Sequence, residues 1–348
     1  MSFKKFSDEE FQQIFMHIIG HSARDVTYKF ALARFLLEYS ETETETKVSF
    51  KQIARYFLKY YWPQICNSKL KQGARDEQSV DIKNKTKIVQ IINQDFPEPY
   101  YPQTFDKISI LQPENVENCI AKIENECFKV VTFAFQRIKE GNESKDVAPM
   151  FFEYKVTGFK KSRPDQLYVD QNYGIVINPH ALDFFKRFNV LLKKSVIFEW
   201  AKYLEPYNSG YPEIIRSIES EYELRNLSTE RKWLQTIQKN CFYCDQPLEK
   251  FENSEIHVEH IIPYSYLKHN KMWNLTLACK NCNCKKLGAL PKPKQVWMEK
   301  IFERNKKFRK KILKLDQHLS ELGDSFENKM NISYDLAKNQ GFIEKQMP

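Results

Sequence analysis

Residues 241–286 read CFYCDQPLEKFENSEIHVEHIIPYSYLKHNKMWNLTLACKNCNCKK, and their cysteine spacing decides how the second half of the chain must fold. Cys241 and Cys244 form one Cys-x2-Cys knuckle, and Cys279 and Cys282 form another. A two-residue spacing lets both sulfurs of a knuckle reach one ion, and four thiolates close a tetrahedral zinc shell. Redox or chance cysteine pairs are the competing reading, and two pairs of matched spacing weigh against it. With all four positions filled by protein, such a zinc offers no open site for water or substrate. It would act as a structural staple for a segment too small to build its own core. Cys284 reads as a small buried residue and not as a fifth ligand. Any catalysis must come from what lies between and just after the knuckles.

There, Ile256-His-Val-Glu-His-Ile-Ile-Pro-Tyr-Ser265 reads as a β-strand ending at Pro263, and Trp273-Asn274-Leu-Thr-Leu-Ala follows. Asn283 and Lys286 fall in the first turns of a helix. His260 can serve as a general base near neutral pH. Glu259 and a carboxamide supply hard oxygen ligands of the kind Mg2+ or Mn2+ requires, and Lys286 is a cation available to a phosphate oxygen. Taken alone, His-x-Glu-His reads better as structure, with His260 an ordinary strand residue and Glu259 a solvent-facing charge. Strand alternation places His257 on the Glu259 face and opposite His260, where a supporting role suits it better than a ligand role.

In combination, the order Cys-x2-Cys, Glu-His-Ile-x-Pro-x-Ser, Asn-Leu and Cys-x2-Cys-Asn-x2-Lys resembles the zinc-stapled HNH endonucleases. The resemblance is specific over about residues 241–291. It extends more loosely upstream to Ile197-Phe-Glu-Trp-Ala-Lys-Tyr-Leu-Glu205, so that it covers 197–291 in all. It implies a ββα-metal fold and hydrolysis of nucleic-acid phosphodiester bonds, with DNA the usual substrate and bacterial defence or restriction the usual setting. Carried over residue by residue, it implies that His260 activates water and that Glu259 and Asn283 hold the catalytic Mg2+ or Mn2+. Asn274 would hold the loop and orient the base, and Lys286 matches a lysine that often follows this asparagine by three. Two departures stand out: Glu259 replaces the commoner aspartate, and Lys286-Leu287-Gly288 delays the glycine that often follows the lysine. A second reading stays open, in which the module is a zinc-based nucleic-acid-binding domain without catalysis or one subunit of a larger nuclease assembly.

Composition agrees with a packed, largely helical protein. Of 348 residues, 42% are hydrophobic, with 26 Phe and 18 Tyr against only 9 Gly, which argues against a disordered chain. The net charge of +9 is local: from Lys285 to Lys314 stand twelve Lys or Arg and two Glu, and the remainder sums to −1. Such a stripe suits a polyanion, although a solvated helix face is the bland alternative. Lys285, Lys286, Lys292, Lys294, Arg304, Lys307, Lys310 and Lys311 are the expected phosphate contacts. No window approaches the roughly 20 apolar residues of a membrane span, and the start lacks the apolar core of a secretory signal. A cytoplasmic protein without membrane contact is therefore expected.

The fold class expected is α+β and mostly α-helical: a helical N-terminal region followed by a ββα-metal module. Four segments are read. Residues 1–148 form a helical domain whose role is open and which could bind a protein partner. Residues 149–210 form a short β-hairpin and helical connection, 211–292 the zinc-bearing module, and 293–348 a basic long helix and tail. Ser7 with Glu10, Ser22 with Asp25, and Ser49 with Gln52 open three helices. A long helix spans about 114–139, and polar residues 64–86 read as a loop. Alternation at Phe152, Tyr154 and Val156 predicts a strand, and 166–170 with 173–177 a hairpin. Asn178-Pro179 opens a helix running to about Leu204, and another helix follows Ser228. One helix covers 293–322, and the tail from Asp324 carries little signal.

Overall fold

Ser7 and Glu10 bond reciprocally, with Glu10 N–H donating to Ser7 Oγ (3.2 Å) and Ser7 N–H to Glu10 Oε2 (2.7 Å), and helix Asp8–Gly20 begins there. Ser49 likewise accepts the Gln52 N–H and caps Phe50–Trp62. Asn178 accepts the His180 N–H and, with Pro179 at the first helical position, starts the 26-residue helix Pro179–Leu204. A computed structural model describes residues 3–20, 27–97, 104–140, 143–160, 163–170, 172–219 and 227–348. Ser22 and Asp25 lie outside these residues; the second helix is Tyr28–Thr42. The fold is α+β and mostly helical. Among the described residues no helix is long and apolar enough to cross a membrane.

Two compact units result. One comprises Met1–Cys66, Leu70–Ser209 and Ile218–Glu221, and the other Asn67–Lys69, Gly210–Ser217 and Tyr222–Pro348. Residues 149–209 lie within the first unit, and 293–348 share the second with the cysteine module.

The first unit is held by aromatic rings on helical spacing. Phe11 stacks on Phe184 (5.3 Å), Phe15 and Phe151 meet Phe185 (5.4 and 5.6 Å), and Trp200 lies between Phe30 and Tyr61 (6.1 and 5.5 Å). Each ring removes a large apolar area from water, the main favourable term in folding.

Several expectations need correction. Residues 64–86 are not a plain loop. They contain the π-helical turn Pro63–Asn67, helix Ala74–Gln78 and the 3-10 turn Ile82–Asn84, with Gln64, Gln72 and Asp76 buried. Their polar side chains satisfy one another inside: Asp76 accepts from Gln72 N–H (2.8 Å), Thr86 N–H (2.6 Å) and Thr86 Oγ1 (3.0 Å). Hydrophobic periodicity does not register burial of this kind, because hydrogen bonding offsets the cost. Helices Lys87–Asp95 and Phe105–Leu111 were not foreseen.

The long helix is Pro113–Phe135, and strand Arg137–Glu140 follows it, paired with Glu143–Asp146. Buried Gln136 stands at the switch, its Oε1 accepting the Phe151 N–H (2.8 Å) and its Nε2 donating to Phe152 O (2.7 Å). The hairpin expected from 166–170 and 173–177 does not form. Arg163–Val169 pairs instead with Val156–Lys160, and Ile175–Ile177 lies between Lys47–Val48 and Phe152–Glu153. Alternation specifies which face a residue takes and leaves the partner strand open. Gly174 makes the second pairing possible: at φ +73° a Cβ there would sit 2.1 Å from Val48 O.

In the second unit, helix Ser228–Ile237 precedes the cysteine module. The single helix expected over 293–322 is two, Lys294–Phe308 and Leu313–Ser320, and the break lets the second pack against Met272–Asn274. The tail is ordered too. Helix Phe326–Asn339 buries Phe326, Met330 and Tyr334, and Glu344–Gln346 pairs in parallel with Leu290–Lys292.

Replacing Asp76 with alanine orphans two buried N–H donors and a hydroxyl. The first unit should lose about 3 kcal/mol, the scale of charge-assisted bonds removed on one side only. The midpoint of its urea unfolding, followed by helical circular dichroism, measures the loss.

Candidate active site and metal centre

The two knuckles meet as their spacing predicts. The Sγ atoms of Cys241, Cys244, Cys279 and Cys282 all lie within 4.8 Å of one another, and none is in a disulfide. Zn–S bonds of about 2.3 Å in a tetrahedron place sulfurs about 3.8 Å apart; Cys244 and Cys279 stand at 3.9 Å. A tight turn shapes the first knuckle, with Asp245 N–H donating to Cys241 O (3.0 Å) and Asp245 at φ +57°. The second knuckle straddles the start of helix Lys280–Lys286. Burial raises the Cys241 thiol, but N–H donors from Cys244, Cys279 and Tyr243 outweigh it and bring its pKa down. Burial and then the neighbouring Cys241 push Cys282 far up. Four crowded sulfurs cannot all ionise without a counter-charge, and a divalent ion supplies one. The cluster thus fits zinc. Cys284, expected to be buried, is exposed on the same helix; its position in the turn, two residues past Cys282, carries it away from the sulfurs.

Beside the cluster, strands Ile256–His260 and Leu275–Cys279 pair antiparallel with Glu259 opposite Thr276 and His260 opposite Leu275. Helix Lys280–Lys286 packs on both, giving a ββα unit. The first strand stops at His260, short of Pro263. Asn274, fully buried, clasps the chain beyond it: its Oδ1 accepts the Ile262 N–H (2.9 Å) and its Nδ2 donates to Ile262 O (2.7 Å). One side chain so satisfies both backbone groups of a buried residue that has left the ladder.

Lys286 is not the surface cation expected for a phosphate. Its side chain is 0% exposed, and its ammonium donates to Glu259 Oε1 and to His260 O, both at 2.7 Å. A buried ammonium requires such a carboxylate, because leaving either charge unpaired is costly. Asn283, three residues before Lys286, shares its helix face. His260 is 3% exposed; its Nε2 lies 3.0 Å from Asn270 Oδ1 and its ring edge meets Tyr264. Asn270 was not singled out by sequence reasoning; its position in a polar loop between the strands is the only signal it carries. His257 is half-buried, and its Nε2 is buried without a hydrogen-bond partner. Burial, then Arg231, lowers its pKa against the pull of Glu259.

The basic stretch is divided. Arg304 turns inward, its Nη2 donating to Met272 O (3.2 Å), and burial pushes its pKa down to about 9. It is a structural cation and not a phosphate contact. Lys294 pairs with Asp335 (2.8 Å), while Lys300, Lys306, Arg309 and Lys314 pair with Asp245, Glu327, Asp316 and Glu230. Lys285, Lys292, Lys307, Lys310 and Lys311 are exposed.

Comparison with known families places both halves. Residues 8–218 match a family described as a domain of unknown function (DUF8808), and the chain belongs to that family. Residues 241–292, a segment of the chain, match the HNH endonuclease family, which associates this module with nuclease or nucleic-acid-binding function. No curated protein and no solved structure matches the chain.

Two outcomes follow from this geometry. Cys241→Ser should bring bound zinc, read by mass spectrometry, well below about one ion per chain and unfold the second unit, since structural zinc contributes folding energy directly. His269 accepts the Lys271 N–H at Nδ1 (3.3 Å), and burial holds its pKa down to about 4. Its folded value lies below the unfolded one of about 6.5, so the unfolded chain takes up the proton first. Its contribution is complete above about pH 6.5 and falls away toward pH 4. His269→Gln should flatten that part of the stability profile relative to wild type, the thiolate contribution being common to both proteins.

Proposed function

We propose that the chain is a metal-dependent endonuclease that hydrolyses phosphodiester bonds in DNA, with His260 as general base. The observation that carries this reading is the pair of hydrogen bonds donated by one buried ammonium. Lys286 ties Glu259 Oε1 and His260 O to the helix that bears Asn283. The three family positions therefore belong to one rigid ββα unit and do not hang on separate loops. Preorganisation of this kind is what positions reacting groups without cost at the moment of reaction.

The roles divide by chemistry. The imidazole of His260 takes a proton from the attacking water. Glu259 and Asn283, a carboxylate and a carboxamide, are oxygen donors that suit Mg2+ or Mn2+. When bound, such an ion would neutralise charge developing on the phosphate and the leaving oxygen. Lys286 holds the Glu259 carboxylate in one orientation, and Asn274 holds the chain that follows His260. The exposed Lys285, Lys292, Lys307, Lys310 and Lys311 would contact phosphates, positioning a duplex without reading its sequence. The zinc stays structural.

One observation favours a conditional form of this activity. His260 is 3% exposed, so water reaches the base only after the site opens. Substrate or a protein partner would open it, and the nuclease would then act within an assembly, in the manner of a defence or restriction effector.

The test compares wild type with His260→Ala on supercoiled plasmid with Mg2+, Mn2+ or a chelator. Wild type should cleave only with metal, and the variant should be slower by about 10²- to 10⁴-fold, the usual contribution of general base catalysis, with zinc content unchanged. Equal cleavage by the two proteins would remove His260 from the mechanism.

A further inference from the structure

We propose that Asn270 is the positioning residue for the His260 imidazole, fixing which ring nitrogen carries the proton. The inference rests on the nuclease reading above and assigns a role to a residue outside the family motif. Nε2 of His260 and Oδ1 of Asn270 are 3.0 Å apart. An amide oxygen only accepts, so Nε2 is the protonated nitrogen and the basic lone pair of the neutral ring lies on Nδ1. As a proton moves from water to Nδ1, the Nε2–H to Oδ1 bond becomes charge-assisted and strengthens. The contact therefore selects the tautomer beforehand and steadies the imidazolium afterwards.

The loop that presents Asn270 is built to hold it still. Lys268 adopts a left-handed conformation (φ +52°) and is buried, and its carbonyl accepts from Arg216 Nη1 (2.9 Å). On the other side, Lys271 N–H donates to His269 Nδ1, and Met272 N–H donates to His318 Nδ1 (2.9 Å). The Lys271 ammonium pairs with Glu321, and the His269 ring rests edge-on against Trp273. Backbone on both sides of Asn270 is thus tied to side chains from helix Leu313–Ser320 and from the segment ending at Ser217. A merely solvent-facing loop asparagine needs none of this. The ring it meets is buried, and a buried imidazole nitrogen without a partner is penalised.

Two independent readouts test the proposal on the full, zinc-loaded chain. In long-range 1H–15N spectra of 15N-histidine protein, with the His260 signal identified by its loss in His260→Ala, wild type should show the Nε2–H tautomer. Asn270→Ala should show a mixture, and Asn270→Asp should restore the wild-type pattern. In single-turnover plasmid cleavage, Asn270→Ala should be slower by about 10- to 100-fold, the range for partners that orient a functional imidazole, with the Kd for duplex DNA unchanged. In the His260→Ala background the same change should have no further effect, because residues acting as one unit are not additive. A wild-type tautomer and rate in Asn270→Ala would overturn the proposal, as would a further loss in the double variant. If wild type shows no His260-dependent cleavage, the nuclease reading fails instead, and the tautomer spectra still decide whether Asn270 sets the ring.

Discussion

Four sulfur atoms drawn within 4.8 Å of one another tie a turn at Cys241–Cys244 to the start of helix Lys280–Lys286 across more than thirty residues of chain. The segment between them is short, and its buried side chains, among them Ile261, Ile262, Met272, Trp273 and Leu277, form a small core beside the sulfurs. Once the sulfurs converge, strand Leu275–Cys279 must enter the cluster from one side and the helix must leave from the other. Strand Ile256–His260 then has one available edge on which to pair. The rings of Phe242, Tyr243 and Trp297 close over the first knuckle. Placement of Glu259, His260 and Asn283 relative to one another follows from the strand pairing, the packing of helix Lys280–Lys286 on both strands and the convergence of the sulfurs.

Within that frame, a buried charge does a second job of alignment. Lys286 has no exposure, so its ammonium is tolerated only where carboxylate and carbonyl oxygens meet it. Glu259 and the backbone of His260 supply them, which makes strand and helix interdependent at the position where the chemistry is proposed. Arg304 is half-buried, and its guanidinium bonds to the Met272 carbonyl just before Asn274. The local excess of positive charge is partly met by ion pairs with Asp335, Asp245, Glu327, Asp316 and Glu230, while Lys285, Lys292, Lys307, Lys310 and Lys311 stay exposed. The helix expected over 293–322 breaks after Phe308, so these lysines do not share one helix face.

What the sequence determined by itself is whatever depends on short spacing. Two Cys-x2-Cys pairs, the Glu259-His260 pair and Asn274 and Asn283 at set distances from them specify the ββα module, since each is a local constraint on strand, turn or helix. Caps at Ser7, Ser49 and Asn178 and the aromatic periodicity placed several helices of the first unit for the same reason. Tertiary structure alone decided the rest. Asp76, Gln136 and Lys286 are polar, and their burial is offset by hydrogen-bond partners four to 27 residues away that the folded loops and strands bring to them, so no hydrophobic pattern announces it. Strand Ile175–Ile177 chose Val48 and Phe152 over its sequence neighbour because alternation encodes a face and not a partner. Asn270 meets His260 in a loop whose backbone is held by side chains from two distant helices, Arg216 and His318.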